Sequence, residues 1–182
     1  MNGISTKSRA VLRSILIVVV LSLLPACSLF GGSAATKEEP GPVEPAAKVE
    51  RFTGEKSREI DFVYTARKEL SLTFNGMGDK QTMQALLNEL DTYNIKATFF
   101  LPGMRVAEEP DIAKEILARG HEIENNTLNA LDMSKLDYDR VYKEIHLAND
   151  VIQRETGVQP KYIRTRSGDY PEDVPLAAAH LG

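Results

Sequence analysis

The chain has 182 residues, of which 42% are hydrophobic, 26% charged and 7% aromatic, proportions that belong to a globular protein and exclude a fibrous or wholly disordered one. Its 22 Lys and Arg stand against 26 Asp and Glu, a net charge of −4, which leaves no basic face able to neutralise a run of phosphates and argues against a nucleic-acid partner. One cysteine and three histidines exclude an internal disulfide and leave little material for a structural zinc site.

The N-terminus carries Lys7, Arg9 and Arg13 without an acid, then the apolar run Ile15–Leu24, then Pro25-Ala26-Cys27. A ten-residue apolar helix rises only about 15 Å, roughly half of a bilayer core, so the run is too short for an ordinary span and fits a secretory signal over residues 1–27. Leu24-Pro25-Ala26-Cys27 resembles the lipobox of bacterial lipoproteins, which implies a lipid anchor on Cys27 at the outer face of the cell membrane. Without residues 1–27 the count is 19 bases against 26 acids, a charge repelled by an anionic membrane surface. Residues 28–66, rich in Pro, Glu and small residues up to Lys48, predict a disordered tether. About 40 flexible residues span roughly 35 Å, enough to hold a domain just off a membrane.

From Glu69 the pattern changes. Leu70, Leu72 and Phe74 alternate with polar residues and predict a strand. Met83, Leu86, Leu87, Leu90 and Tyr93 recur at three and four and predict a helix. Residues 96–101 predict a second strand, ended by Pro102-Gly103. A second helix is expected from Pro110, whose missing N–H costs nothing in a first turn, to Arg119-Gly120. Residues 121–125 predict a third strand, and Tyr138, Val141, Ile145, Ala148 and Ile152 a third helix stopped at Gly157. A fourth strand is expected at 161–164 and a fourth helix from Asp169 to Leu181, with Pro175 in its first turn or kinking it. Four such strand–helix units argue for a parallel α/β sheet. Periodicity alone leaves open whether that sheet is doubly wound and flavodoxin-like or part of a (β/α) barrel.

Four stretches stand in order: Leu72-Thr73-Phe74-Asn75-Gly76, Tyr93 through Phe100, Glu108 through Ile123, and Pro160-Lys161-Tyr162-Ile163-Arg164, with Asn126-Thr127 between the last two. Taken together they resemble the polysaccharide deacetylases of the NodB homology type, which have His-Thr at the place of Asn126-Thr127. The resemblance covers residues 67–182 and implies the N-terminal half of an irregular (β/α) barrel, incomplete at its C-terminus, with the site at the C-terminal strand ends. It implies a hydrolase that removes acetyl groups from a cell-wall or extracellular polysaccharide, using a divalent metal such as zinc held by one Asp and two His, with a second Asp as base.

The chemistry departs from that pattern. The base and first ligand positions hold Asn75 and Gly76, and the two His positions hold Asn126 and Ala130. Asn offers a neutral amide oxygen and Gly and Ala offer no donor, so no intact catalytic residue and no bound metal are expected. Arg164 matches the family's Arg, whose partner would be the catalytic Asp, while Thr165-Arg166-Ser167-Gly168 replaces Pro-Pro-Tyr-Gly. Asp79, His121, Glu122, Glu124 and Asp132 are the nearby residues able to compensate; a lone His is more often a structural residue than a ligand. If a glycan is still bound, the polar floor is expected at Asn75, Asn126, Asn129 and Arg164. The expected function is thus a cell-envelope protein of the deacetylase family with impaired catalysis. Two alternatives stay open: a non-catalytic glycan-binding lipoprotein and an inactive fragment.

Overall fold

A computed structural model describes residues 47–182. Three parallel strands, β1 (Thr73–Asn75), β2 (Thr98–Leu101) and β3 (Glu122–Asn125), form a sheet in sequential order. Helices supply the crossovers that parallel strands require: α1 (Lys80–Thr92) joins β1 to β2, and α2 (Gly103–Glu108) with α3 (Pro110–Ala118) joins β2 to β3. A 3-10 turn at Met133–Lys135, α4 (Tyr138–Thr156) and α5 (Asp173–Leu181) follow.

The helix ends follow from local chemistry. The Asp79 carboxylate accepts the Thr82 N–H at 2.9 Å and opens α1, and Asp137 accepts that of Arg140 at 3.0 Å and opens α4. Gly157 ends α4 with φ 78°, a left-handed conformation natural to glycine. Pro110 occupies the first turn of α3.

Register places Thr73, Thr98 and Glu122 side by side, and Asn75, Phe100 and Glu124 one pleat further on. These residues share one face of the sheet. On the other face Phe74, Phe99, Leu101 and Ile123 meet Met83, Leu87 and Leu90 of α1, Ile112 and Ile116 of α3, and Ile152 of α4. Phe99, Leu101, Leu87 and Ile116 are fully buried, so this face is the main core and the first face is the inner wall of the barrel-like arc. A second core gathers Met133, Tyr138, Val141, Ile145, Val174, Leu176 and Ala177 between α4 and α5.

Three differences separate the observed elements from the expected ones. First, α2 occupies residues expected to be a loop after Pro102-Gly103. A Cβ at Gly103 would lie 3.0 Å from the Ala148 Cα, so this glycine permits α2 and α4 to touch rather than marking a break. Second, the fourth strand is reduced to one parallel bridge between Asn125 and Ile163; side chains hold the rest of that segment. Third, β1 begins at Thr73 rather than Leu70, and α5 at Asp173 rather than Asp169.

The apolar run and Cys27, with the first part of the expected tether, lie outside the described residues. Its later part is docked. The Val49 N–H donates to Asp139 at 2.6 Å, the Arg51 guanidinium pairs with Asp173 at 2.9 Å, the Phe52 ring stacks on His180 at 5.2 Å, and the Ser57 N–H donates to the Pro175 carbonyl at 3.0 Å. Val49 and Phe52 pack against the second core. Two apolar side chains with a charge pair are enough to order a strap that its composition marks as polar.

Candidate functional site

The C-terminal strand ends carry the positions singled out by sequence. At the end of β1, Gly76 takes φ 84° and its N–H donates to the Phe100 carbonyl at 2.9 Å, so the strand turns away at once. A Cβ built there would meet nothing within 4 Å. At the end of β3 the chain runs through Asn125 to Ala130, with Thr127 at φ 65° and Ala130 at φ 52°.

That loop is fastened from several directions. The Asn125 carboxamide donates to the Ile145 carbonyl at 3.0 Å and to Asn149 at 2.7 Å, and accepts the Thr127 N–H. Thr127 Oγ1 accepts the Ala130 N–H at 3.0 Å. The Glu144 carboxylate, on α4 and almost fully buried, accepts both the backbone N–H of Asn129 at 2.9 Å and its side-chain amide at 2.8 Å, and meets Arg140 at 3.2 Å. Buried polar groups are costly unless paired, and these are paired. Neither Asn125 nor Glu144 is distinguished by the motif comparison. Glu144 has a sequence signal: it sits three residues after Val141 on the apolar stripe of α4, where a charge must find partners to be buried.

Arg164 crosses the inner wall of the sheet. Its Nη1 donates to Thr73 Oγ1 at 2.8 Å and to Asn75 Oδ1 at 3.3 Å, and its guanidinium carbon lies 4.0 Å from the centre of the Phe100 ring, a cation–π arrangement. The backbone at Arg164 is pinned on both sides: its N–H donates to the Asn125 carbonyl at 2.9 Å, and its carbonyl accepts the Asn126 carboxamide at 2.7 Å. One residue earlier on β3, the buried Glu124 carboxylate accepts the N–H groups of Lys161 and Tyr162 at 2.7 and 2.8 Å. Burial pushes the Glu124 carboxyl above its ordinary value, opposed by these two donors.

Asn75, Asn126 and Arg164 are therefore brought together at one corner. Asn129 is not joined to them by any hydrogen bond; its amide is committed to Glu144. Gly76 and Ala130 bring no side-chain donor, and their backbone N–H groups are bonded to Phe100 and Thr127. The nearby acids named as able to compensate are engaged elsewhere: Asp79 caps α1, Asp132 caps the 3-10 turn, and Glu122 accepts the Thr98 hydroxyl at 2.8 Å. His121 is buried with Nδ1 accepting the Ala97 N–H at 3.2 Å, its ring edge-on to Phe99, and burial holds its pKa below the ordinary value.

The corner does not fit a divalent metal. Asn75 Oδ1 already accepts from a guanidinium, the Asn126 amide nitrogen is a donor bonded to a carbonyl, and neither group takes up or releases a proton near neutral pH. Among the described residues no three His, Cys, Asp or Glu side chains gather closely enough to hold a metal ion. Beside Asn75 and Gly76 opens a cavity of about 400 Å³, bounded also by Thr82, Met83, Leu86 and Phe99.

The polysaccharide deacetylase family model matches residues 63–182. A peptidoglycan-N-acetylglucosamine deacetylase of Bacillus cereus is 33% identical over 107 residues, which are 59% of this chain and 39% of that protein. A peptidoglycan-N-acetylmuramic acid deacetylase of Bacillus subtilis is 27% identical over 108 residues, 59% of this chain and 23% of its own length. Among solved structures, a pseudoenzyme of carbohydrate esterase family 4 from Bacillus anthracis superposes with a TM-score of 0.61 at 25% identity, over 65% of this chain and 42% of that one. The chain thus spans less than half of these relatives. With the parallel sheet, the helical crossovers and the ordered motif positions in place, the match assigns it: the chain belongs to the polysaccharide deacetylase family.

Proposed function

We propose that this protein is a cell-envelope member of the family in which catalysis is impaired and the strand-end corner binds glycan without hydrolysing it. One observation carries the reading. The four positions that supply base and ligands by resemblance hold Asn75, Gly76, Asn126 and Ala130, and the Asn126 amide serves to tie the loop to the Arg164 carbonyl. The corner keeps polar groups suited to sugar hydroxyls and acetamido groups, because a carboxamide both donates and accepts. Relatives named for peptidoglycan deacetylation support a wall polysaccharide as partner. The basic, apolar, small order of residues 1–27 supports export and an acylated Cys27 as the anchor, with the stretch before the docked strap as spacer.

The test pairs two assays on the full chain. Insoluble peptidoglycan and chitin should each be offered to the protein in sedimentation experiments, with acetate release measured in the presence of added zinc. The reading expects retention on at least one glycan and no acetate release above a protein-free control. Acetate release abolished by a chelator would overturn it in favour of an active deacetylase; retention on neither glycan would favour an inert fragment. Mass spectrometry of detergent-extracted protein should find a lipid-modified Cys27 as N-terminus, and an intact Met1 would remove the anchor.

A further inference from the structure

Among the described residues, Arg164 is held by neutral partners only. Its hydrogen bonds go to Thr73 and Asn75, its face lies on Phe100, and none of the ion pairs among the described residues includes it. Both of those hydrogen bonds leave from Nη1, so Nε and Nη2 of a five-donor group stay uncommitted to protein. The guanidinium cannot shed its charge near neutral pH. It is half-buried, and its backbone is fixed by Asn125 and Asn126. A positioned, partly desolvated fork with its charge uncompensated is the arrangement that receives a planar carboxylate, because two parallel N–H donors match two carboxylate oxygens. A phosphate would call for more than one cation, and among the described residues Arg164 is the one cation in the corner's hydrogen bonds.

We infer that Arg164 receives a carboxylate of the bound saccharide, so that the ligand of this corner is an acidic sugar rather than a neutral one. The inference rests on the glycan-binding reading above and adds the class of sugar. The neutral Asn75 is what leaves the cation available: a carboxylate at that position would stand where Oδ1 now accepts from Nη1 and would compensate the charge internally.

Two probes separate the cases. N-acetylmuramic acid and N-acetylglucosamine share the ring and the acetamido group, and the first adds a lactyl ether carboxylate. Binding of each to the full chain should be measured by ligand-observed NMR titration at pH 7 and low salt. The acid is expected to bind roughly tenfold more tightly, the effect of a charge-assisted hydrogen bond at a half-exposed site, and the preference should shrink as ionic strength rises. In Asn75→Asp, which keeps the side-chain shape, the ratio of the two affinities should fall to near one. Arg164→Gln should do the same, so the ratio remains readable if one variant folds poorly. Equal affinities in the wild type would overturn the inference and leave the glycan reading standing. A preference unchanged in Asn75→Asp would place the carboxylate elsewhere and also overturn it. Binding of neither sugar would remove both.

Discussion

At the scale of single residues, the corner is organised by side chains outside the motif positions. Asn125 is buried and its carboxamide joins α4 to the turn at Thr127. Replacing it with Ala leaves buried donors and acceptors unpaired, at about 1–3 kcal/mol for such a loss. Urea denaturation of Asn125→Ala should therefore show a midpoint well below wild type with an unchanged slope; a change within error would mean the loop is held by its backbone alone. His121 gives a pH signature. Its pKa is depressed below the ordinary 6.5 by burial, with Lys96 as a second cause, so below pH 6.5 the unfolded chain takes up a proton that the fold resists. Stability contributed by the neutral ring is complete above that pH and is lost as pH falls through the folded value. Glu124 acts in the opposite sense: its carboxyl is raised above 4.5, so between 4.5 and the folded value the fold holds the proton more firmly and gains stability as pH falls. Melting temperatures of wild type and His121→Gln from pH 7 to about pH 5 should diverge, the wild type losing more. Parallel curves would show that His121 titrates as it does in the unfolded chain.

At the scale of elements, what the sequence predicts well is what local chemistry decides. The 3-4-3-4 spacing from Tyr138 to Ile152 and the glycine at 157 define α4 because an amphipathic stripe and a left-handed stop suffice. The segment 161–164 has the composition of a strand, yet its attachment is set by Glu124 and Asn126 on neighbouring β3 and its loop, contacts between residues nearly 40 positions apart that no local pattern encodes. The same holds for the strap. Its order comes from Phe52 meeting His180 and Arg51 meeting Asp173, more than 120 residues away. Of the candidate site, the positions are legible because motif order fixes them, whereas the ties of Asn129 to Glu144 and of Arg164 to Thr73 depend on tertiary approach. Truncating Phe52 to Ala tests the strap: about half of a buried aromatic's contribution is lost, roughly 2 kcal/mol, and limited proteolysis should then cut between residues 47 and 57 faster than in wild type. Equal cleavage rates would show that the strap is detached in solution.

At the scale of the whole molecule, two faces of one sheet have separate tasks. The apolar face, with Phe99, Leu101 and Ile123, fastens the helices and carries the family's architecture. The inner wall, with Thr73, Asn75, Glu122 and Glu124 around an Arg-covered Phe100, is polar and ends at the corner of Asn75, Asn126 and Arg164. Fold and catalysis are encoded by different residues, so one can be kept while the other is replaced. Asn75 and Asn126 are neutral side chains joined to Arg164, and the proposed recognition without hydrolysis rests on them. Calorimetric titration of the full chain with zinc at pH 7 examines this most directly. The account predicts no stoichiometric binding at sub-micromolar affinity, with the same flat isotherm for His121→Gln. A one-to-one isotherm in that range, lost on replacing His121, Glu122 or Glu124, would contradict it by revealing a metal centre built from other residues.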